Sequence, residues 1–391
     1  MMRSSGRIIL IGPTESILTK RGNRFPDFAN YLVTNKLEVL YYTSDFYHAE
    51  KRRFTRKEIN KAKAECPYVL HVNFVIGYTK NISFRRLISN LVYSIKVFVN
   101  LLFYVRKTDK ILIPSRPVEL IYVVSLLRRL RGCEIYLDIQ DIWPDALNIK
   151  SKIKSKAFIW YCNLFLRSSL KYYTNTIHVA PSFENWLRRY ANSTPSTFIP
   201  LGWENERWAH LPEVDKVDQY RVRLVCVAQL TYQFDIMPLL EFIKDSPDIF
   251  LTVIGEDGSG ERYKAVKDFI ESNSIKNTAI IGVVPRKKVA LYLANEDIGI
   301  VSMITTSIPN KVFDYIGARL PIIVLGRNDS AEFVKQHGIG WSCDFNSESF
   351  GALMRTINND DLLQKKTNLE NIRMKFSRNH LHAELLEIIT K

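Results

Sequence analysis

The sequence predicts an α/β protein built from two Rossmann-like, doubly wound parallel-sheet domains. Three observations predict it. Short apolar runs alternate with helical stretches through both halves of the 391 residues, the pattern of parallel sheets with right-handed crossovers. Apolar residues dominate most of these runs, and 321–325 is apolar throughout, which suits a parallel strand covered on both faces. A Pro/Gly hinge within Phe198-Ile199-Pro200-Leu201-Gly202-Trp203 separates the two sets, followed by a polar stretch.

The elements follow in order. Strand-like runs in the first half are residues 7–12, 37–43, 68–74, 110–114, 134–140 and 176–180. In the second they are 223–228, 249–255, 278–282, 297–303 and 321–325. The expected domains are 1–200 and 201–378, with a last helix over 379–391. The chain is long enough to bury an ample core.

Charge is unevenly placed. Residues 1–200 carry 32 Lys+Arg against 14 Asp+Glu, a net +18; residues 201–391 carry 23 against 26, a net −3. The basic first half points to an anionic partner for that domain alone. Nucleic acid is not expected, because no base-stacking module is legible. The five scattered cysteines form no C-x-x-C pair, which suits a reducing compartment. The N-terminal residues show no signal-peptide apolar region, so a cytoplasmic location is expected.

Residues 91–105 are apolar at 12 of 15 positions, interrupted by Ser94, Lys96 and Asn100. The run is too short for a bilayer span of roughly 20 residues. It is either a buried crossover helix or part of a membrane-facing surface. Arg106, Lys107, Lys110, Arg128, Arg129 and Arg131, and Lys150, Lys152, Lys154 and Lys156 beside Phe158-Ile159-Trp160, favour an anionic membrane surface.

Ligands bind such sheets at the carboxyl ends of strands. The segment Ser307-Ile308-Pro309-Asn310-Lys311-Val312-Phe313-Asp314-Tyr315 reads as a loop entering a helix, and Pro321 precedes the next strand. Pro309 suits the first helical turn. A helix start is an anion site, here with a cation, Lys311, and one turn on a carboxylate, Asp314. A diphosphate at the N-terminus near Ser307, Pro309 and Asn310, with a ribose diol beside Asp314, fits a nucleotide sugar. Lys311 as an ordinary surface lysine is the alternative.

This segment resembles the donor motif P-S-K-x-x-E-Y-x-x-x-G-x-P of retaining GT-B glycosyltransferases of the family 4 type. It departs at Asp314 (Glu in the family), Arg319 (Gly) and Thr306, where the family has its first acidic residue. Other exit loops follow in the family's order: the glycine-rich turn with Gly255 and Gly258, and Val283-Val284, whose backbone lines the nucleobase in the family. The basic pair that many relatives place after the strand at 223–228 is missing; Tyr232 and Asp235 stand there. In the first half, Gly22-Asn23-Arg24 resembles the family's loop that approaches the diphosphate and acceptor. Three segments are similar to those of O-antigen and capsule enzymes. They are Ser44-x-Phe46-x-His48-x-x-Lys51, Tyr78-x-x-Asn81-x-x-x-Arg85 and Asp138-x-x-Asp141-x-Trp143-Pro144-Asp145.

The resemblance implies two domains facing a cleft, a last helix that crosses back to the first domain, and a UDP-linked donor. It also implies no metal, and transfer to a lipid-linked saccharide at the inner face of the cytoplasmic membrane. Asp141 is the candidate to bind or deprotonate the acceptor, with a helix-capping or turn aspartate as the alternative. Lys311 and Arg24 are candidates to neutralise the leaving diphosphate, and His48 is a catalytic candidate. Competing readings are a nucleotide-sugar epimerase on the same fold and a degenerate transferase acting as a partner subunit.

Overall fold

The computed structural model describes residues 6–19, 24–147, 149, 151–208, 220–230, 233–255 and 260–391, without the side chains of 286 and 287. Gly22, Gly258, Lys150 and Tyr232 lie outside the described residues. The chain divides into two units. One comprises 1–199 with 382–391, the other 200–381.

The first unit runs β1 (Ile8–Ile11), α1 (Arg24–Thr34), β2 (Val39–Ser44), a ribbon of β3 (Phe46–Tyr47) and β4 (Arg52–Arg53), α2 (Arg56–Glu65), β5 (Val69–Asn73) and α3 (Phe84–Tyr104). It continues through β6 (Lys110–Pro114), α4 (Val118–Arg131), β7 (Glu134–Ile139), α5 (Lys152–Ser169), β8 (Asn175–His178), α6 (Ser182–Arg188) and β9 (Ser196–Phe198). Its seven-stranded sheet has the order β5-β2-β1-β6-β7-β8-β9, and its strand pairs are parallel. The reversal of winding falls between β1 and β6.

The second unit runs α7 (Asn205–Trp208), β10 (Val222–Val227), α8 (Met237–Ile243), β11 (Ile249–Ile254), α9 (Glu261–Ser272), β12 (Thr278–Gly282), α10 (Arg286–Leu293) and β13 (Ile298–Ser302). Then come α11 (Asn310–Gly317), β14 (Ile322–Leu325), α12 (Asp329–Gln336), β15 (Gly340–Cys343), α13 (Ser347–Thr356), α14 (Asn359–Arg373) and α15 (Arg378–Thr390). Its parallel sheet has the order β12-β11-β10-β13-β14-β15, the dinucleotide-fold order, which places a ligand crevice between β10 and β13. One core cluster joins Leu224, Cys226, Leu251 and Ile300 of the sheet to Leu239, Leu240 and Ile243 of α8 and Phe350 and Met354 of α13.

α15 is shared between the units. From His382 onward it belongs to the first. There the His382 ring lies 5.4 Å from that of Phe28, and the Ile389 carbonyl accepts from Lys110 Nζ (2.5 Å) and Tyr136 Oη (3.2 Å).

The run at 91–105 belongs to a longer helix than the apolar stretch alone suggests. α3 begins at Phe84, where Ser83 Oγ accepts from Arg86 N–H at 3.3 Å. Its 21 residues are long and apolar enough to cross a membrane by length and composition, which corrects the expectation of too short a run. It nonetheless serves the core. Tyr93, Val97 and Leu101 are buried, and Tyr93 Oη donates to the Tyr42 carbonyl at 3.1 Å. Leu91, Ile95, Val99 and Phe103, at four-residue steps, are exposed.

Candidate active site

In the second unit the site begins with a wedge in the sheet. β10 and β13 pair at only two positions, Leu224 with Ile298 and Val225 with Gly299. Beyond them the buried Tyr315 of α11 reaches in between. Its hydroxyl accepts from Val227 N–H (2.9 Å) and donates to the Ile300 carbonyl (3.0 Å). The ring takes the space that a side chain at Gly299 would fill, since a Cβ there would lie 2.4 Å from it. Tyr315 thus keeps the crevice open and satisfies the backbone groups that separation exposes.

The other end of α11 is fixed from outside the sheet. Arg373 donates to the Gly317 carbonyl (3.0 and 3.2 Å) and to the Trp208 carbonyl (2.8 Å), and stacks on Trp203. A Cβ on Gly317 would strike the Trp208 ring at 2.7 Å. The loop before α11 is tied to α12. Ser330 Oγ donates to the Ser307 carbonyl at 2.7 Å, and Asn328 Nδ2 to the Met303 carbonyl at 3.2 Å.

Pro309 occupies the cap position of α11, one residue ahead of the expected first turn, and no side chain caps the helix. Val312 N–H donates to the Pro309 carbonyl at 3.0 Å, which leaves the N–H groups of Asn310 and Lys311 available to an anion. Ile308 is buried and Asn310 exposed. Lys311 turns inward. It is 9% exposed, and its Nζ has no hydrogen-bond partner among the described residues. The ammonium sits 4.0 Å from the centre of the Phe234 ring. Burial pulls its pKa from 10.5 down to about 8, opposed by Asp314. An ammonium held dry without an anion is costly, and a ligand phosphate is the natural complement. The surface-lysine alternative fails on burial.

Phe234 is supplied by the loop after β10, where the family's basic pair is absent. The Gln233 carbonyl accepts from Ile304 N–H at 3.0 Å, and the Asp235 carbonyl accepts from Ser302 Oγ. Asp314 is already engaged. Its Oδ1 lies 3.1 Å from Arg207 Nη1, with both side chains largely buried. Arg207 carried no sequence signal, because the fold alone brings α7 to α11.

The remaining donor candidates sit at strand exits of the same sheet. Gly255 has φ 125°, and a Cβ there would lie 1.9 Å from the Ala228 carbonyl oxygen, so only glycine fits. Gly282 closes β12 with φ 69°, leaving Val283 as an exposed apolar residue and Val284 half-buried.

In the first unit Arg24 is buried and bound to Asp138 through two contacts (2.8 and 3.2 Å), and it donates to the Ile199 carbonyl at 3.2 Å. Gln140 Nε2 donates to the same carboxylate at 2.7 Å. Arg24 is therefore committed to a buried ion pair rather than held out toward a phosphate. Asp141 follows the end of β7. Its carboxylate pairs with Arg116 at 2.8 Å and accepts from Ile142 N–H at 3.1 Å, and its carbonyl accepts from Ser115 Oγ at 2.6 Å. It thus has the turn contacts of the bland alternative together with a partly exposed carboxylate.

His48 Nδ1 lies 2.7 Å from Tyr78 Oη and 3.2 Å from Lys51 Nζ. Burial first, then Arg86, Lys51 and Arg116, lower its pKa to about 3. It is neutral at physiological pH, and so weak a base has little drive to take a proton from a hydroxyl. Among the described residues no group of three His, Cys, Asp or Glu side chains is placed to hold a metal ion.

Residues 212–374 match the family model described as Glycosyl transferases group 1. No curated protein matches the chain. Among solved structures, HepE of Anabaena in complex with UDP is similar with a TM-score of 0.71 at 10% identity, over 97% of this chain and 98% of that one. WaaG, a glycosyltransferase involved in lipopolysaccharide biosynthesis, gives 0.66 at 13%, over 98% and 99%. The pneumococcal O-GlcNAc transferase GtfA in complex with UDP and GlcNAc gives 0.63 at 9%, over 99% of both chains. The fold is accordingly GT-B, two Rossmann-like parallel-sheet domains.

The buried ammonium makes a stability prediction. Below pH 8 Lys311 is charged in both folded and unfolded chains, so its depressed pKa costs stability in full; the cost vanishes above pH 10.5. Lys311→Met should stabilise the ligand-free protein at pH 7 by about 1–3 kcal/mol, after allowing for the lost contact with Phe234. The gain should fade toward pH 10.5 in urea titrations. Destabilisation at pH 7 would mean that the ammonium already has its anion.

Proposed function

We propose that this protein is a retaining glycosyltransferase. It moves a hexosyl or N-acetylhexosaminyl group from a UDP-linked donor in the second unit to a lipid-linked saccharide in the first. The observation that carries the reading is Lys311, a buried ammonium without a hydrogen-bond partner among the described residues, in the first turn of α11 at the crevice between β10 and β13. The match of residues 212–374 to the group 1 glycosyl transferases supports it. So does the fold shared with structures that hold UDP.

In this reading Lys311 and the N–H groups after Pro309 stabilise the departing diphosphate, where charge develops in the transition state. No metal ion is needed for that charge. Asp314, steadied by Arg207, accepts from the ribose hydroxyls, and Val283 and Val284 flank the base. Asp141 binds the acceptor hydroxyl, and retention follows from the departing phosphate taking its proton on the same face. The role is cell-surface polysaccharide synthesis.

Titration with UDP tests the donor site. A bound diphosphate raises the Lys311 pKa, so affinity should be flat from pH 7 to about 8 and then weaken by up to tenfold per pH unit. Lys311→Ala should bind at least tenfold more weakly at pH 7 and lose that slope. An unchanged Kd and slope in the variant would remove Lys311 from the diphosphate site.

The acceptor reading places the first unit against an anionic membrane at the cytoplasmic face. α3 and α5 both pack on α4. They expose Phe84, Leu91, Ile95, Val99 and Phe103, and Ile153, Ile159 and Trp160, beside exposed Lys152, Lys154 and Lys156. Each basic residue near such a surface adds about 1 kcal/mol. Replacing Lys152, Lys154 and Lys156 with Gln should release the protein from anionic vesicles at moderate salt with UDP binding intact. Sedimentation equal to wild type would mark the lysines as an ordinary solvated face.

A further inference from the structure

The crevice between β1 and β6 of the first unit opens into two adjoining hollows that share Pro13 and Thr14. Arg116 lines one and Tyr78 the other. Around them stand three cations. Lys51 Nζ is 5.3 Å from the Tyr78 ring centre and bonds Asn81 Oδ1 at 2.5 Å. The Arg86 guanidinium lies 5.7 Å from the same ring and 5.1 Å from that of Trp143. Arg116 bears on Tyr78 and His48 electrostatically.

These charges are poorly balanced within the protein. Arg116 has Asp141. Arg86 is 8% exposed and donates to the Asn81 carbonyl at 2.6 Å, and its Nε has no hydrogen-bond partner among the described residues. Neither Arg86 nor Lys51 forms an ion pair among the described residues. Glu119 and Asp141 offset part of the Arg86 charge from a distance, and Glu119 Oε1 is taken by Tyr161 Oη at 2.6 Å. A guanidinium this deep without a direct anion is costly unless a ligand completes it.

We propose that Lys51, Arg86 and Arg116, gathered around Tyr78 and His48, form a subsite for a phosphate-type anion carried by the acceptor. This rests on the reading of the chain as a transferase whose acceptor binds the first unit. His48, kept neutral among the three cations, adds no repulsive charge and holds the Tyr78 hydroxyl. The anion belongs to a lipid phosphate or to a phosphorylated saccharide. Exposed Phe74, Ile82 and Phe84 in the neighbouring segment supply an apolar path for a lipid tail.

The test reads the His48 ring by NMR in the full chain as inorganic pyrophosphate is added. An anion in the subsite should raise the His48 pKa from about 3 by at least one unit, and Arg86→Gln and Lys51→Gln should each weaken that response tenfold or more. Lys51 lies nearer the surface, so its variant keeps the test alive where Arg86→Gln does not fold. No shift of His48, or an equal response in a folded variant, overturns the proposal. Farnesyl diphosphate binding tenfold tighter than glucose 1-phosphate assigns the anion to a lipid; the reverse order assigns it to a saccharide. UDP binding measured on the same samples separates the failures. UDP bound without a His48 response defeats the subsite alone, and a His48 response without UDP binding defeats the donor reading alone.

Discussion

The wedge of Tyr315 between β10 and β13 is the contact on which the second unit depends. A parallel sheet gains by continuing its ladder, yet these two strands part after two paired positions. They can part because the Tyr315 hydroxyl replaces the lost partners of Val227 and Ile300, and because Gly299 leaves room for the ring. The same residue fixes the roll of α11. With Tyr315 inside the sheet, helical spacing sends Lys311, four residues earlier, inward over the crevice. Asp314 then turns toward Arg207. A packing contact therefore decides where a charge lies.

The two units share one electrostatic device. Each has its reversal of strand order at a crevice, and each sets near it a buried cation that forms no direct ion pair among the described residues: Lys311 in the second unit, Arg86 in the first. Such groups cost folding free energy. They are intelligible as preorganised partners for anions, because water excluded before the ligand arrives need not be displaced when it does. The charge split of +18 and −3 conceals this likeness, since the surface lysines of the first half dominate the count.

Much of this was legible in the sequence, for physical reasons. A strand buried on both faces reads as a continuous apolar run, so the predicted run at 321–325 meets β14, buried at every position; the apolar centres of the runs at 110–114 and 278–282 were enough to place β6 and β12. β15 was missed because Gly340-Trp341-Ser342-Cys343 is short and half polar, and the ribbon of β3 and β4 because each strand has two residues. The start of α3 was missed because its first turns, Phe84-Arg85-Arg86, are charged while the apolar run begins later. Within the sites, Lys311 and Asp314 were found because they share one helix. The segments holding His48 and Tyr78 were both noticed, but their meeting 30 residues apart follows from β2 lying beside β5. Arg207 and Arg86 carried no local pattern; only the fold gives them a role.

Hydrogen exchange on the full chain, with and without saturating UDP, tests the central claim most directly. The proposed donor site requires protection at residues 308–314, around the first turn of α11, and at 282–285 beyond β12. Both should be lost in Lys311→Ala at the same UDP concentration. Protection confined to the first unit, or none under conditions where UDP is shown to bind, would contradict the account.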